Sequence, residues 1–170
     1  MADIIHLNPE EGQARQALGR LLIAYHRQTE MEKASHGVGA RPAGGSLPAR
    51  YQREIDSPFK AFAGSRFMVA KQGGETVGMV VLSPGGPGIK EVKRLWVEPS
   101  ARGAGVGAAL LQEALHAARL SGTEGVRLTV WEWRHVAVRS YLRFGFQMVP
   151  SWEDRAGLHC LELRLAEDPD

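Results

Sequence analysis

Cysteine is almost missing from this chain. Cys160 is the only one in 170 residues, which excludes a disulfide framework and a cysteine metal cluster. A small buried hydrophobe in a strand is the reading of that thiol. The six histidines show no paired metal spacing, so no metal is expected. No apolar run approaches the roughly 20 residues of a membrane span, and Met1-Ala2-Asp3 does not begin a signal peptide. The expectations are no membrane partner and a cytoplasmic home. An excess of one charge is also lacking: 21 basic residues against 19 acidic give a net charge of +2. The basic residues are scattered rather than massed, which argues against a nucleic-acid surface but leaves room for a local anion site. No linker or repeat divides the chain, so residues 1–170 read as a single domain, with 44% hydrophobic residues to build its core.

What is present is a stretch of strong local grammar from Glu91 to Leu115, EVKRLWVEPSARGAGVGAALLQEAL. It begins as a strand on Val92, Leu95, Trp96 and Val97, ended by Pro99. It finishes as a helix, because Gly107, Leu110, Leu111, Ala114, Leu115 and Ala118 recur at helical spacing. Between them lies R-G-A-G-V-G, Arg102–Gly107. A helix N-terminus offers free N–H groups and partial positive charge, and glycines let a bulky anion reach that backbone. Arg102 adds a permanent charge. Residue chemistry therefore points to phosphate or pyrophosphate, without saying whose.

A P-loop is excluded, since no Lys-Ser or Lys-Thr follows the glycines. Gly103, Gly105 and Ala108 do satisfy the dinucleotide pattern G-x-G-x-x-G/A, with Glu132 as a ribose ligand. Against that reading, five residues separate the glycines from their strand, and too little chain follows Glu132 for a doubly wound sheet. Binding of NAD would revive it.

Around this stretch the elements read in order. Residues 3–7 form a short strand. Asn8-Pro9-Glu10-Glu11 is a helix start, with Asn8 as N-cap, and the helix runs to about Glu32. Residues 35–47, rich in Gly, Ala and Pro, form a loop, and Pro48–Ile55 a short helix. Strands at 66–70 and 76–82 make a tight hairpin, the Pro84–Gly88 run makes the next turn, and a strand follows at 89–97. After the glycine loop and its helix come a strand at 126–131, a helix at 135–144, and strands at 146–149 and 158–165. The result is an α/β fold: a mixed, mostly antiparallel central sheet with helices on both faces.

V-x-P-x-x-R-G-x-G-V-G resembles the acetyl-CoA pyrophosphate loop, Q/R-x-x-G-x-G/A, of the GNAT N-acetyltransferase superfamily, with Arg102, Gly105 and Gly107 in its defined positions. Ala137, Tyr141 and Gly145-Phe146 match a second family segment, N-x-x-A-x-x-x-Y-x-x-x-G-F. The resemblance covers about Phe67 to Leu165. It implies acetyl-CoA as cosubstrate and transfer of its acetyl group to a primary amine, of a small molecule or a peptide, by direct attack. It further implies that Gly103, Ala104, Gly105, Val106, Gly107 and Ala108 supply pyrophosphate N–H groups. Backbone groups of Leu95 and Val97 would receive the pantetheine arm and thioester carbonyl. Residues 35–47 correspond to the family's acceptor-pocket cover, with a slack surface loop as the competing reading.

An alkyl amine with a pKa of about 10.4 arrives protonated, and a departing alkyl thiolate with one of roughly 8.5 is helped by a proton donor. Glu91 is the base candidate, on the strand that carries the loop, against the reading of a solvated strand-end glutamate. Glu132 and Glu98 are weaker alternatives. Tyr141, at the family's tyrosine position, is the acid candidate, against the reading of a core aromatic. One departure stands out: the family's asparagine is replaced by Arg134, which would meet the cofactor or the acceptor, or be solvated. Arg139 and Arg143 could reach the nucleotide end. Trp131 and Trp133 flank Glu132 and would suit an organic cation if they are not core. The identity of the amine stays open, as does the oligomeric state, with which a homodimer is compatible. An acyl-CoA-binding module of the same fold without turnover is the alternative from another class.

Overall fold

The computed structural model describes residues 1–39 and 43–165. Its sheet has seven strands in the order β1-β2-β3-β4-β5-β7-β6. These are β1 (Asp3–His6), β2 (Arg66–Gln72), β3 (Glu75–Gly86), β4 (Ile89–Val97), β5 (Gly125–Trp131), β6 (Gln147–Val149) and β7 (Leu158–Arg164). Only β4 and β5 run parallel, and the helix α4 (Val106–Leu120) connects them. All other pairs are antiparallel. No helix of the described residues is long and apolar enough to cross a membrane.

Each face of the sheet has its own core. On one, Leu110, Leu111, Ala114, Leu115 and Ala118 of α4 pack on Met68, Val80, Val92 and Leu128. The helical stripe in the sequence is thus the buried stripe in the fold. Tyr141 of α5 (His135–Arg143) and Phe146 join that cluster. On the other face, Leu18, Leu21 and Leu22 of α1 (Gly12–Ser35) pack on Phe67, Val69, Met79, Val81 and Trp96. Two short helices, α2 (Ala49–Asp56) and α3 (Pro58–Ala61), lie against α1.

The boundaries differ from expectation at three places. Asn8 does not cap α1. Its side-chain oxygen accepts the Glu10 N–H at 3.1 Å, closing a local turn, and the helix starts at Gly12. At its other end α1 continues past Glu32 to Ser35, which belonged to the expected loop; residues 40–42 of that loop lie outside the described residues. Finally, β3 runs through Pro84 to Gly86, so the turn into β4 is only Pro87-Gly88. Pro84 is tolerated because the ladder is irregular there, with a register shift between Pro84 and Gly86.

Leu110 is fully buried at the centre of the α4 face. Leu110→Ala should destabilise the protein by about 3 kcal/mol, through lost transfer energy and the cavity left behind. A urea unfolding curve measures it, read as a lower midpoint at unchanged slope.

Candidate active site

The site exists because β4 and β5 stop pairing. Their ladder holds at Ile89–Gly125, Lys90–Val126 and Glu91–Arg127 and then ends. Each strand keeps its outer neighbour: β4 stays on β3 and β5 on β7. Arg94 turns β4 aside. It is the only described non-glycine residue with positive φ, at 54°, and it sits in a bulge where the β3 register shifts between Met79 and Val81. The strands frame a cleft of about 1120 Å³, reaching from the β4–β5 junction to the glycine loop and roofed by α1. Main-chain groups on the inner edges of both strands lose their ladder partners there and become available to a ligand.

At one end of the cleft stands the N-terminus of α4. Gly105 is its N-cap, left-handed at φ 78°, and no side chain caps it. Gly103 is left-handed too, at φ 82°. Ala109 donates the first helical hydrogen bond, to Gly105 O at 3.0 Å. The amides of Val106, Gly107 and Ala108 therefore have no partner within the helix. Arg102, Gly103, Gly105, Val106, Gly107 and Ala108 all line the cleft, whereas Ala104 does not. A Cβ placed on Gly103 or Gly105 would meet nothing within 4 Å, so the backbone conformation and the open approach require glycine here, not crowding. Arg102 Nε donates to Val97 O at 2.9 Å, and its Nη2 reaches Gln28 at 3.3 Å. The Val97 carbonyl expected to face the cofactor arm thus already has a partner.

Both catalytic candidates line this cleft. Glu91 stands where the two strands last pair, with Arg127 at 3.3 Å. Tyr141 is only 8% exposed. Burial pushes its hydroxyl pKa up, reinforced by nearby Tyr25 and partly offset by Arg134, so it keeps its proton across the physiological range. Leu95 and Val97 also face the cleft. Of the weaker base candidates, neither Glu98 nor Glu132 lines it; Glu98 pairs with Arg20 at 2.9 Å. Arg143 reaches the lining but Arg139 does not. Cys160 is buried in β7 and is not among the residues that line the cleft.

Arg134 is engaged in a way the sequence did not indicate. Its guanidinium donates to Thr29 Oγ1 at 2.8 Å and Glu32 Oε2 at 2.7 Å, tying the β5–α5 junction to α1 across the cleft. Burial would lower its pKa, but Glu32 outweighs that and holds the charge. Trp131 and Trp133 stack at 4.8 Å, and His36 continues the stack at 4.2 Å. Arg155 already lies over the Trp131 ring, at 5.9 Å.

A second buried cluster escaped sequence reasoning. Glu54 of α2 takes two hydrogen bonds from Arg94, at 2.9 and 2.7 Å, and sits 2.7 Å from His26 Nε2. Tyr51 stacks on His26 at 4.0 Å. Burial lowers the His26 pKa, outweighing the pull of Glu54, so the ring is neutral and its Nε2–H donates. Burial alone would raise the Glu54 carboxyl, yet His26 and Arg94 outweigh it and hold it at about 2. The same carboxylate pushes the Arg94 pKa up against the effect of burial. This clamp fixes the left-handed residue that opens the cleft. The three partners come from α1, α2 and β4, and no spacing in the sequence links them.

The profile of the Acetyltransferase (GNAT) family matches residues 30–146. An IAA acetyltransferase of Azospirillum brasilense is 32% identical over 109 residues, 62% of this chain and 70% of that protein. Among solved structures, the PaiA N-acetyltransferase from Thermoplasma acidophilum in complex with coenzyme A superposes with a TM-score of 0.72 at 18% identity, over 97% of this chain and 99% of that one. A GNAT-family acetyltransferase from Staphylococcus aureus Mu50 gives a TM-score of 0.71 at 16% identity, over 98% and 100%. At those identities the structures establish a shared fold.

The Glu54 clamp sets a pH dependence of stability. The unfolded chain protonates His26 first, so stability should fall as pH drops below about 6.5. Glu54, depressed in the fold, stabilises above about 4.5, and that contribution is lost as pH falls toward 2. Glu54→Gln leaves Arg94 half-buried without its counter-ion and should cost about 3 kcal/mol near neutral pH. Denaturation at a series of pH values should show the gap between variant and parent narrowing below about pH 4.5.

Proposed function

The chain belongs to the GNAT acetyltransferase family, and from that premise we propose that it transfers an acetyl group from acetyl-CoA to the nitrogen of a primary amine by direct attack. One observation carries the reading: a glycine-cradled helix N-terminus, a pair of parted strands and a protonated tyrosine line the same cleft.

The residues fit the cofactor. Free amides of Val106, Gly107 and Ala108, approached over Gly103 and Gly105, would hold the pyrophosphate, with Arg102 as counter-charge. Arg143 would face the nucleotide end, and backbone groups of Leu95 and Val97, which line the cleft, would receive the pantetheine arm. Arg102 must then release the Val97 carbonyl as it turns to the phosphates. When bound, acetyl-CoA supplies a thioester carbonyl open to attack.

The chain's own groups move the protons. Glu91 takes the proton of the incoming ammonium, directly or through a water, while Arg127 fixes its carboxylate. Tyr141 gives its hydroxyl proton to the departing sulfur. No group of the described residues hydrogen-bonds that hydroxyl, which leaves it free to do so. Arg134 holds α1 over the cleft rather than serving the cofactor. No covalent acyl-enzyme is involved, in keeping with the absence of Cys160 from the cleft lining.

Titration with acetyl-CoA, with CoA and with NAD tests the cofactor. At a hundred times its Kd, acetyl-CoA should add about 2.7 kcal/mol of stability, a thermal shift of several degrees. A shift with NAD alone would reject the reading, and binding without transfer to any amine would leave an acyl-CoA-binding module. Gly105→Val should abolish the CoA shift, since a β-branched residue resists the left-handed N-cap. For the chemistry, Tyr141→Phe should lower kcat about 100-fold, while Glu91→Gln should lower the rate chiefly below pH 8. Unchanged turnover in the first, or an unchanged pH–rate profile in the second, reassigns that residue to packing or to the surface.

A further inference from the structure

The charges that line the cleft are unequally satisfied. Among the described residues, all four lining carboxylates have a cationic partner: Glu32 with Arg134 at 2.7 Å, Glu54 with Arg94 at 2.7 Å, Glu91 with Arg127 at 3.3 Å and Glu153 with Arg155 at 3.0 Å. None is left to receive a second positive group on a substrate. The open charge is positive.

Two cations carry it at the end of the cleft away from the glycine loop. Lys93 stands opposite Val81, whose side chain belongs to the core beneath α1, so Lys93 rises from the same face of the sheet. The bulge breaks the alternation of β4 and turns Arg94 to that face as well, over Tyr25 at 5.6 Å. Glu54 neutralises Arg94, but Lys93 is half-buried and has no hydrogen-bond or ion-pair partner among the described residues. Arg50 lies one turn before Glu54 on α2, hence on the same helix face. Its only hydrogen-bond partner among the described residues is the Tyr51 hydroxyl, at 2.8 Å. Both cations line the cleft.

Glu91 precedes Lys93 by two residues on one strand face, roughly 7 Å along the backbone. A proton acceptor and an uncompensated ammonium therefore stand side by side. An amine nitrogen delivered to Glu91 would place a neighbouring anionic group at Lys93.

We propose that the acceptor is a primary amine that also carries a carboxylate, an amino acid, with the carboxylate held by Lys93 and Arg50. This rests on the acetyltransferase reading above. A charge-assisted hydrogen bond to a carboxylate compensates the partly desolvated lysine. A polyamine or other polycation meets the same two charges as repulsion and finds no free carboxylate.

The test is acetyl transfer by the full chain to a panel of the common amino acids, their methyl esters and their decarboxylated amines, with CoA binding followed by thermal shift. At least one amino acid should exceed its own ester and amine about tenfold in kcat/KM. Lys93→Gln should reduce that acid-to-ester ratio about tenfold, and Lys93→Arg should restore most of it. Esters or polyamines used as well as the acids, or no amino acid used although CoA stabilises the fold, would overturn the carboxylate site and leave the acetyltransferase reading intact. No stabilisation by CoA would instead remove that reading.

Discussion

The separation of β4 from β5 beyond Glu91 and Arg127 is the constraint on which the rest of the cleft depends. A continuous sheet would bury the same backbone groups in a ladder and leave no space between the strands. Here each strand is secured on its outer side, so the inner edges can part without unravelling the sheet. The bulge at Arg94 provides the bend, and its left-handed backbone is unfavourable for a residue with a Cβ. Such a conformation persists only where the surroundings over-determine it. The bidentate contact from Glu54, itself fixed by His26 and the stacked Tyr51, is that surrounding.

The helices then divide the labour. α4 brings its unpaired N-terminal amides to one end of the opening, and its buried stripe fixes their direction against the sheet. α1 lies on the opposite face and roofs the cleft through contacts with two arginines: Arg102 through Gln28, and Arg134 through Thr29 and Glu32. The arginine from the glycine loop and the arginine before α5 thus meet neighbouring turns of one helix. Through α1, the glycine loop and the β5–α5 junction are mechanically joined.

Charge satisfaction separates the two ends chemically. Carboxylates in the cleft serve mainly to hold arginines in place, and the cations without such partners mark where anions belong. At the glycine loop the proposed anion is a pyrophosphate. Near Lys93 and Arg50 the proposed anion is the carboxylate of the acceptor.

Local grammar determined much of this protein. The glycine loop before an amphipathic helix, the hairpin around Gly73-Gly74 and the strand at 89–97 all stand where their residues demand, because turn chemistry and hydrophobic period act over a few neighbours. Asn8 shows the limit even there: a capping residue chose a turn three residues too early, since the choice depends on where packing begins. Tertiary structure alone decided the cluster over the β4 bulge. His26, Glu54 and Arg94 lie 28 and 40 residues apart along the chain and meet only because α1 and α2 pack over the bulge of β4. The contacts of Arg134 arise in the same way, from a helix more than a hundred residues upstream. Hydrogen bonds between distant segments leave no periodicity to read, and so the sequence displayed the glycine loop while only the fold displayed what faces it.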